Sequence, residues 1–217
     1  MKRIVLYGAG GFARETAYLI DVINYSFPGS YWFLGFLVDE EYYKPNQVVN
    51  GYPVLGTSEW IKNNKDVFCV CCIANNEARS RIQTDLMNNG VQFETLIAPY
   101  LPVPPTARIG RGCVISGNVA LSVNTVLGDG VFLNNSVTIG HDVVIGDYSS
   151  IMPGTGISGG CYIGKKVYIG GHAFLVPDKT VGDNAVIAAG SIVFRNVKEG
   201  TTVLGNPAQR MKELENK

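Results

Sequence analysis

From Ile109 to Val193 an aliphatic side chain recurs every six residues, fifteen times in succession and always as Ile, Leu or Val. Val103 and Ile97 extend the row backwards in the same phase, and Glu199 ends it. Four residues after most members comes a second row of small or β-branched side chains: Cys113, Val119, Thr125, Val131, Val137, Val143, Ser149, Thr155, Cys161, Val167, Ala173, Ala185 and Ser191, with Lys179 the exception. An α-helix repeats a face every 3.6 residues and a lone strand every two, so neither sustains a period of six. A parallel β-helix does: each repeat supplies a short strand and a turn, and buries its apolar side chain only by stacking on its neighbours. A sandwich of irregularly spaced strands would lose phase well before fifteen steps.

The chain before this array has another rhythm. Short apolar runs, "RIVLYG", "WFLGFLVDEE", "VFCVCCIA" and "QFETLI", alternate with the amphipathic stretches "GFARETAYLIDVIN", "TSEWIKNN" and "NEARSRIQTDLMNNG". That alternation predicts a parallel sheet with crossover helices. Between the two patterns, "APYLPVPPTA" holds Pro99, Pro102, Pro104 and Pro105, which stop any helix from continuing. We therefore expect an α/β domain over 1–97 and a β-helix with a short C-terminal tail over 98–217.

Eighteen basic residues balance eighteen acidic ones, which leaves no electrostatic footprint for a nucleic acid or an anionic membrane. No apolar run approaches the roughly 20 residues of a membrane span, and "MKRIVLYGAGG" runs from its charges into a strand and a glycine turn rather than a signal-peptide core. The expected partners are small molecules and the expected compartment is the cytoplasm. Of the five cysteines, Cys69, Cys71 and Cys72 lie in one apolar run with Cys113 and Cys161 elsewhere, a pattern of reduced structural thiols rather than a metal site.

The turn "GAGGFA" (Gly8, Gly10, Gly11, Phe12, Ala13) joins a strand to a helix, where glycines let a phosphate approach backbone N–H groups. The 97 residues available hold one mononucleotide-binding half rather than the two of a dinucleotide fold, so a nucleoside diphosphate-sugar fits better than NAD. Ala74, Asn75 and Asn76 end another strand, where open α/β sheets bind ligands. In the array, His141 interrupts "SVTIGHDVVIGDYSSI" at a turn position, so its side chain points away from the core: a solvated residue or a chemical one. His172, in "IGGHAFLVP", is the only other histidine and also occupies a turn.

Taken together, the glycine turn, "NNEAR", "LNNSVTIGHD" and the closing "GNPAQRM" resemble the NeuD-like sugar O-acyltransferases and the related nucleotide-linked amino-sugar N-acetyltransferases, along essentially the whole chain. The resemblance implies a left-handed β-helix in which three hexapeptides close a triangular coil of eighteen residues, with five to six coils from Ile97 to Val197. It implies acetyl transfer from acetyl-CoA to a UDP- or dTDP-linked amino-deoxysugar, with no metal. His141 would be the general base, a task for which an imidazole of ordinary pKa about 6.5 is suited. Asp142 would orient it, Asn134 would line the acceptor site, and Asp39 and Glu40 would contact the nucleoside. Three such prisms pack in the family as a homotrimer with the active sites between subunits. The pantetheine arm is expected past Gly159, Gly171 and Ala189, with the Gly159 N–H facing the oxyanion and His172 a surface residue near the cofactor.

The chain departs from the family pattern at Gly140, where many relatives have an acidic residue, at Ser150, where many have a second histidine, and at Phe12, where some have histidine. O-acetylation of a sugar hydroxyl, sialic acid included, is the alternative activity, and a non-enzymatic ligand-binding β-helix the alternative class. A zinc hydratase of the γ-type carbonic anhydrase kind needs three histidines where this chain has two.

Overall fold

The computed structural model of the chain describes residues 1–211; the end of the expected tail, 212–217, lies outside them. Two compact units result, one from Met1–Pro99 with Arg111–Cys113, the other from Tyr100–Gly110 and the chain from Val114 onward. Arg111–Cys113 goes with the first unit because the Leu96 N–H donates to the Cys113 carbonyl at 2.9 Å and the Cys113 N–H to Thr95 Oγ1 at 3.2 Å.

The first unit is a six-stranded sheet of β1 (Lys2–Tyr7), β2 (Tyr31–Leu37), β3 (Val48–Val49), β4 (Tyr52–Gly56), β5 (Phe68–Cys71) and β6 (Gln92–Phe93), in the order β3-β4-β2-β1-β5-β6. Strand β1 lies between β2 and β5 and parallel to both, and its Ile4, Val5 and Leu6 are fully buried. Helix α1 (Gly11–Ser26) buries Ala13, Thr16, Ala17, Ile20 and Ile23, the three-and-four spacing of one helical face. Helices α2 (Ser58–Lys62) and α3 (Asn76–Asn88) complete the alternation. The apolar run "QFETLI" divides into β6 and a separate strand, Leu96–Ile97. One element went unforeseen: β3 and β4 form an antiparallel hairpin turning on Asn50 and Gly51, both at positive φ. Asn-Gly is the pair that a two-residue hairpin turn prefers, so the signal was present in "VVNGYP".

In the second unit every repeat is a two-residue strand, and strands eighteen residues apart pair in parallel. Three columns follow: Ile109, Leu127, Ile145, Ile163 and Val181; Ile115, Leu133, Ile151, Ile169 and Ile187; Leu121, Ile139, Ile157, Leu175 and Val193. This is the left-handed β-helix that the repeat and the resemblance lead one to expect. From Ile115 onward the second row, Lys179 apart, is buried with the first, and its polar members are satisfied: Ser149 Oγ donates to the Gly164 carbonyl at 2.8 Å and accepts from the Val167 N–H at 2.9 Å. Each turn places one residue in the left-handed region, among them Asn118, Asn124, Ser136, Asp142, His172 and Asn184. Asn and Asp suit that slot because their short polar side chains lessen its steric cost.

The period shortens at the end. Val203 pairs with Ile187 and Val197 bridges to Val181, so the last coil returns after sixteen residues. A final antiparallel strand, Gln209–Arg210, folds back on Thr202–Leu204, and "GNPAQR" makes that return.

Candidate active site

His141 stands two residues after Ile139, at the corner beyond one strand column, with its side chain 66% exposed. Its Nδ1 lies 2.8 Å from Asp142 Oδ2. The other carboxylate oxygen, Oδ1, accepts from Asn124 Nδ2, also at 2.8 Å. The Asn124 bond first, and the His141 bond after it, hold the Asp142 carboxyl below its usual range. A carboxylate can only accept, so Nδ1 carries a proton, and in the neutral imidazole it is Nε2 that presents the lone pair. The ring rests on Gly159 one coil further on, where an added Cβ would stand 2.5 Å from Nε2. The Gly159 N–H finds no acceptor among the described residues. One short stretch of surface thus carries a basic nitrogen and, beside it, an unengaged backbone donor.

The departure at Gly140 has a packing reason: a Cβ there would meet the Gly159 nitrogen at 2.5 Å, so no larger residue fits without moving backbone. Ser150 is buried on its strand rather than standing beside His141. His172 occupies a different turn slot from His141, at φ 57°, with its ring over Gly154.

The residues expected along the cofactor do not share one edge. Gly159 follows the column of Ile157 and lies beside His141, whereas Gly171 and Ala189 follow Ile169 and Ile187 at another corner. Asn134 also belongs to that second corner, after Leu133, and its Oδ1 accepts from the Asn135 N–H at 2.7 Å.

In the first unit a cavity of about 370 Å³ opens at the C-terminal ends of β1, β2 and β5, where the chain, having laid β2 on one side of β1, crosses to lay β5 on the other. That switch point is where open α/β sheets take ligands. Gly8, Gly10, Gly11, Phe12, Asp39 and Ala74 all line it. Gly8 has φ 112°, and a Cβ on it would stand 2.8 Å from the Cys72 carbonyl oxygen, so the turn demands glycine. Gly10 and Gly11 have nothing within 4 Å of an added Cβ, and Gly10 caps α1 without a side-chain hydrogen bond, which leaves the approach to the helix N-terminus open. Asp39 Oδ1 accepts from Tyr7 Oη at 2.6 Å; burial, then Asp39 itself, pushes the Tyr7 phenol far above its usual range, so it remains a donor.

Glu40, Asn75 and Asn76 do not line this cavity. Glu40 begins an exposed 3₁₀ turn, Glu40–Tyr42. Asn75 Oδ1 caps α3 by accepting from the Ala78 N–H, and Asn76 Oδ1 accepts from Arg79 Nη2. Arg79, 1% exposed, also donates to the Ile73 carbonyl at 2.8 Å and so fixes the loop that reaches the cavity. Sequence reasoning missed Tyr42 and Gln47, which complete the wall. An exposed aromatic in "DEEYY" was the available signal for the first; only the unforeseen hairpin brings in the second.

Residues 3–86 match the family model described as PglD N-terminal domain, and residues 97–199 that described as GMPPB C-terminal domain. The chain is 34% identical to GDP-perosamine N-acetyltransferase of Escherichia coli O157:H7, with 95% of each chain covered. It is similar to the acetyltransferase domain of PglB from Neisseria gonorrhoeae FA1090, at 30% identity and a TM-score of 0.87, over 97% of this chain and 100% of that one. That domain is also known in complex with acetyl coenzyme A. PerB from Caulobacter crescentus, in complex with CoA and GDP-perosamine, gives a TM-score of 0.85 over 98% of both chains at 21% identity, a likeness of fold.

Proposed function

Because the chain belongs to the hexapeptide-repeat N-acetyltransferases of nucleotide-linked amino sugars, we propose that it moves the acetyl group of acetyl-CoA onto the amine of a nucleoside-diphosphate-linked amino-deoxysugar, with His141 as general base. The observation that carries this reading is the 2.8 Å contact of His141 Nδ1 with Asp142, which leaves Nε2 bare above Gly159. As the amine attacks the thioester carbon, Nε2 takes its proton and the Gly159 N–H meets the oxygen on which charge develops. Collapse breaks the carbon–sulfur bond, and the imidazolium returns the proton to the departing thiolate.

The cavity of the first unit supplies the acceptor's anchor: the N-terminus of α1 for the diphosphate, Asp39 for the ribose hydroxyls. The family resemblance suggests UDP or dTDP, whereas the E. coli relative is named for a GDP-linked sugar, so all three nucleotides belong in the acceptor panel. Asn134, Gly171 and Ala189 lie on a different edge from His141 and Gly159, which supports a homotrimer in which neighbouring copies complete one acetyl-CoA groove. No described helix is long and apolar enough to cross a membrane. Release of free thiol from acetyl-CoA, measured against UDP-, dTDP- and GDP-linked amino sugars and their hydroxy counterparts, tests the reading. Acceptor-dependent release with an amino sugar supports it; release only with hydroxy sugars, or none, refutes it.

A further inference from the structure

Asn124 is not accounted for by the reaction as described. It lies one coil before Asp142, on the same corner, and both residues take the left-handed turn conformation, at φ 60° and φ 58°. The Asp142 N–H donates to the Val123 carbonyl at 3.0 Å, which ties the two turns through backbone, and the Asn124 N–H donates to the side chain of Thr106, at Oγ1 and 2.9 Å, which ties the Asn124 turn to the coil before it. The Asn124 amide therefore stands on a held frame, with Nδ2 2.8 Å from Asp142 Oδ1. One coil further along the corner is Gly160, which has no side chain, and an added Cβ there would lie 2.2 Å from Asp178 Oδ1. Support for the Asp142 carboxylate thus comes from the Asn124 side of the corner.

We propose that Asn124 is a positioning residue for acetyl transfer: its amide anchors one oxygen of Asp142 so that the other fixes the tautomer and the aim of the His141 ring. This rests on the reading of His141 as general base. An aspartate side chain 55% exposed has free rotamers unless something orders it, and a single bond to a still more exposed imidazole orders neither partner. With both oxygens engaged, the carboxylate plane is set by Asn124, and the His141 Nδ1–H has one direction in which to donate. In free solution a neutral imidazole favours the tautomer protonated on Nε2, which cannot accept the substrate's proton. The relay Asn124–Asp142–His141 selects the reactive tautomer.

The test uses the full chain carrying N124G or N124D, each alone and combined with D142N. Glycine keeps the left-handed turn while removing the amide, and aspartate keeps the shape while replacing the donor by an acceptor. N124G should lower kcat by about 3- to 10-fold, the scale of one solvent-exposed hydrogen bond, with both KM values and the melting temperature unchanged. N124D should cost more, because two carboxylates then face each other. In the D142N background N124G should cost nothing further. Selective ¹⁵N labelling of the two histidines reads the relay without an acceptor: above the imidazole titration, His141 should be protonated on Nδ1 in the wild-type chain and should shift toward Nε2 in N124G. An unchanged tautomer in N124G, undiminished kcat, or the same loss with and without Asp142 overturns the proposal. Retained activity in H141A strikes the general-base reading instead, so the two failures are distinguishable.

Discussion

At the scale of the residue, position in the repeat separates chemistry from architecture. Side chains four or six steps apart in the rows are committed to the core, and a histidine outside both rows is free for work. His141→Ala should lower kcat by about 10²- to 10⁴-fold with both substrates still bound, since the proton moves only as the acyl bond forms; steady-state kinetics with a melting curve decide it. Asp142→Asn should cost less, as it withdraws orientation and not the base. The cysteines are the opposite case. None of the five forms a disulfide and all are buried, and burial pushes the Cys71 thiol up to about 12, with Cys69 and Cys72 raised for the same cause. Native protein should therefore resist alkylation that proceeds fully in denaturant. Because these thiols stay neutral when folded but ionise when unfolded, stability is whole below the ordinary thiol range and falls as pH rises through about 9; melting temperatures taken across that range should decline.

At the scale of the element, close approach sets what each turn tolerates. A Cβ on Gly159 would press on the His141 ring, so Gly159→Ala should lower kcat while leaving the coil folded, because a ring on an exposed edge can swing aside. Gly8→Ala meets backbone instead, at a positive φ where alanine is strained. It should destabilise the chain by about 1–3 kcal/mol and weaken nucleoside diphosphate binding, as measured by calorimetry. Within the β-helix, Ile145→Ala removes a fully buried rung between two others. A loss of about 2–5 kcal/mol is expected in chemical denaturation, since neighbouring coils fixed by backbone hydrogen bonds cannot collapse into the cavity.

At the scale of the whole molecule, the prediction is stoichiometry. Outward-facing Tyr162, Tyr168 and Phe174 are 47%, 39% and 46% exposed on strands whose inner side chains are already buried. A closed cyclic assembly covers such repeated faces and brings separate edges of the β-helix to one groove. Light scattering at micromolar concentration should give three times the 23.4 kDa of one chain; a monomeric mass would leave Asn134, Gly171 and Ala189 without a place in the acetyl-CoA site.

Periodicity made the β-helix legible because one strand per hexapeptide must bury the same slot in every coil, and local spacing alone encodes that demand. The glycine turn was legible for a similar reason: Gly8 answers to a backbone angle and a clash that no other residue satisfies. His141 and Asp142, adjacent in sequence, could be paired from the sequence. Asn124 could not, since asparagine in a left-handed turn already has a sufficient local reason to be there, and only the stacking of coils eighteen residues apart sets its amide on Asp142. The same holds for Gln47, brought to the cavity by a hairpin, and for Asn75 and Asn76, which the folded chain spends on capping α3 and holding Arg79. Sequence by itself determined the repeating unit and its exceptional residues, because those depend on neighbours along the chain. Which exceptional residues meet was decided by tertiary structure, because a hydrogen bond depends on distance in space.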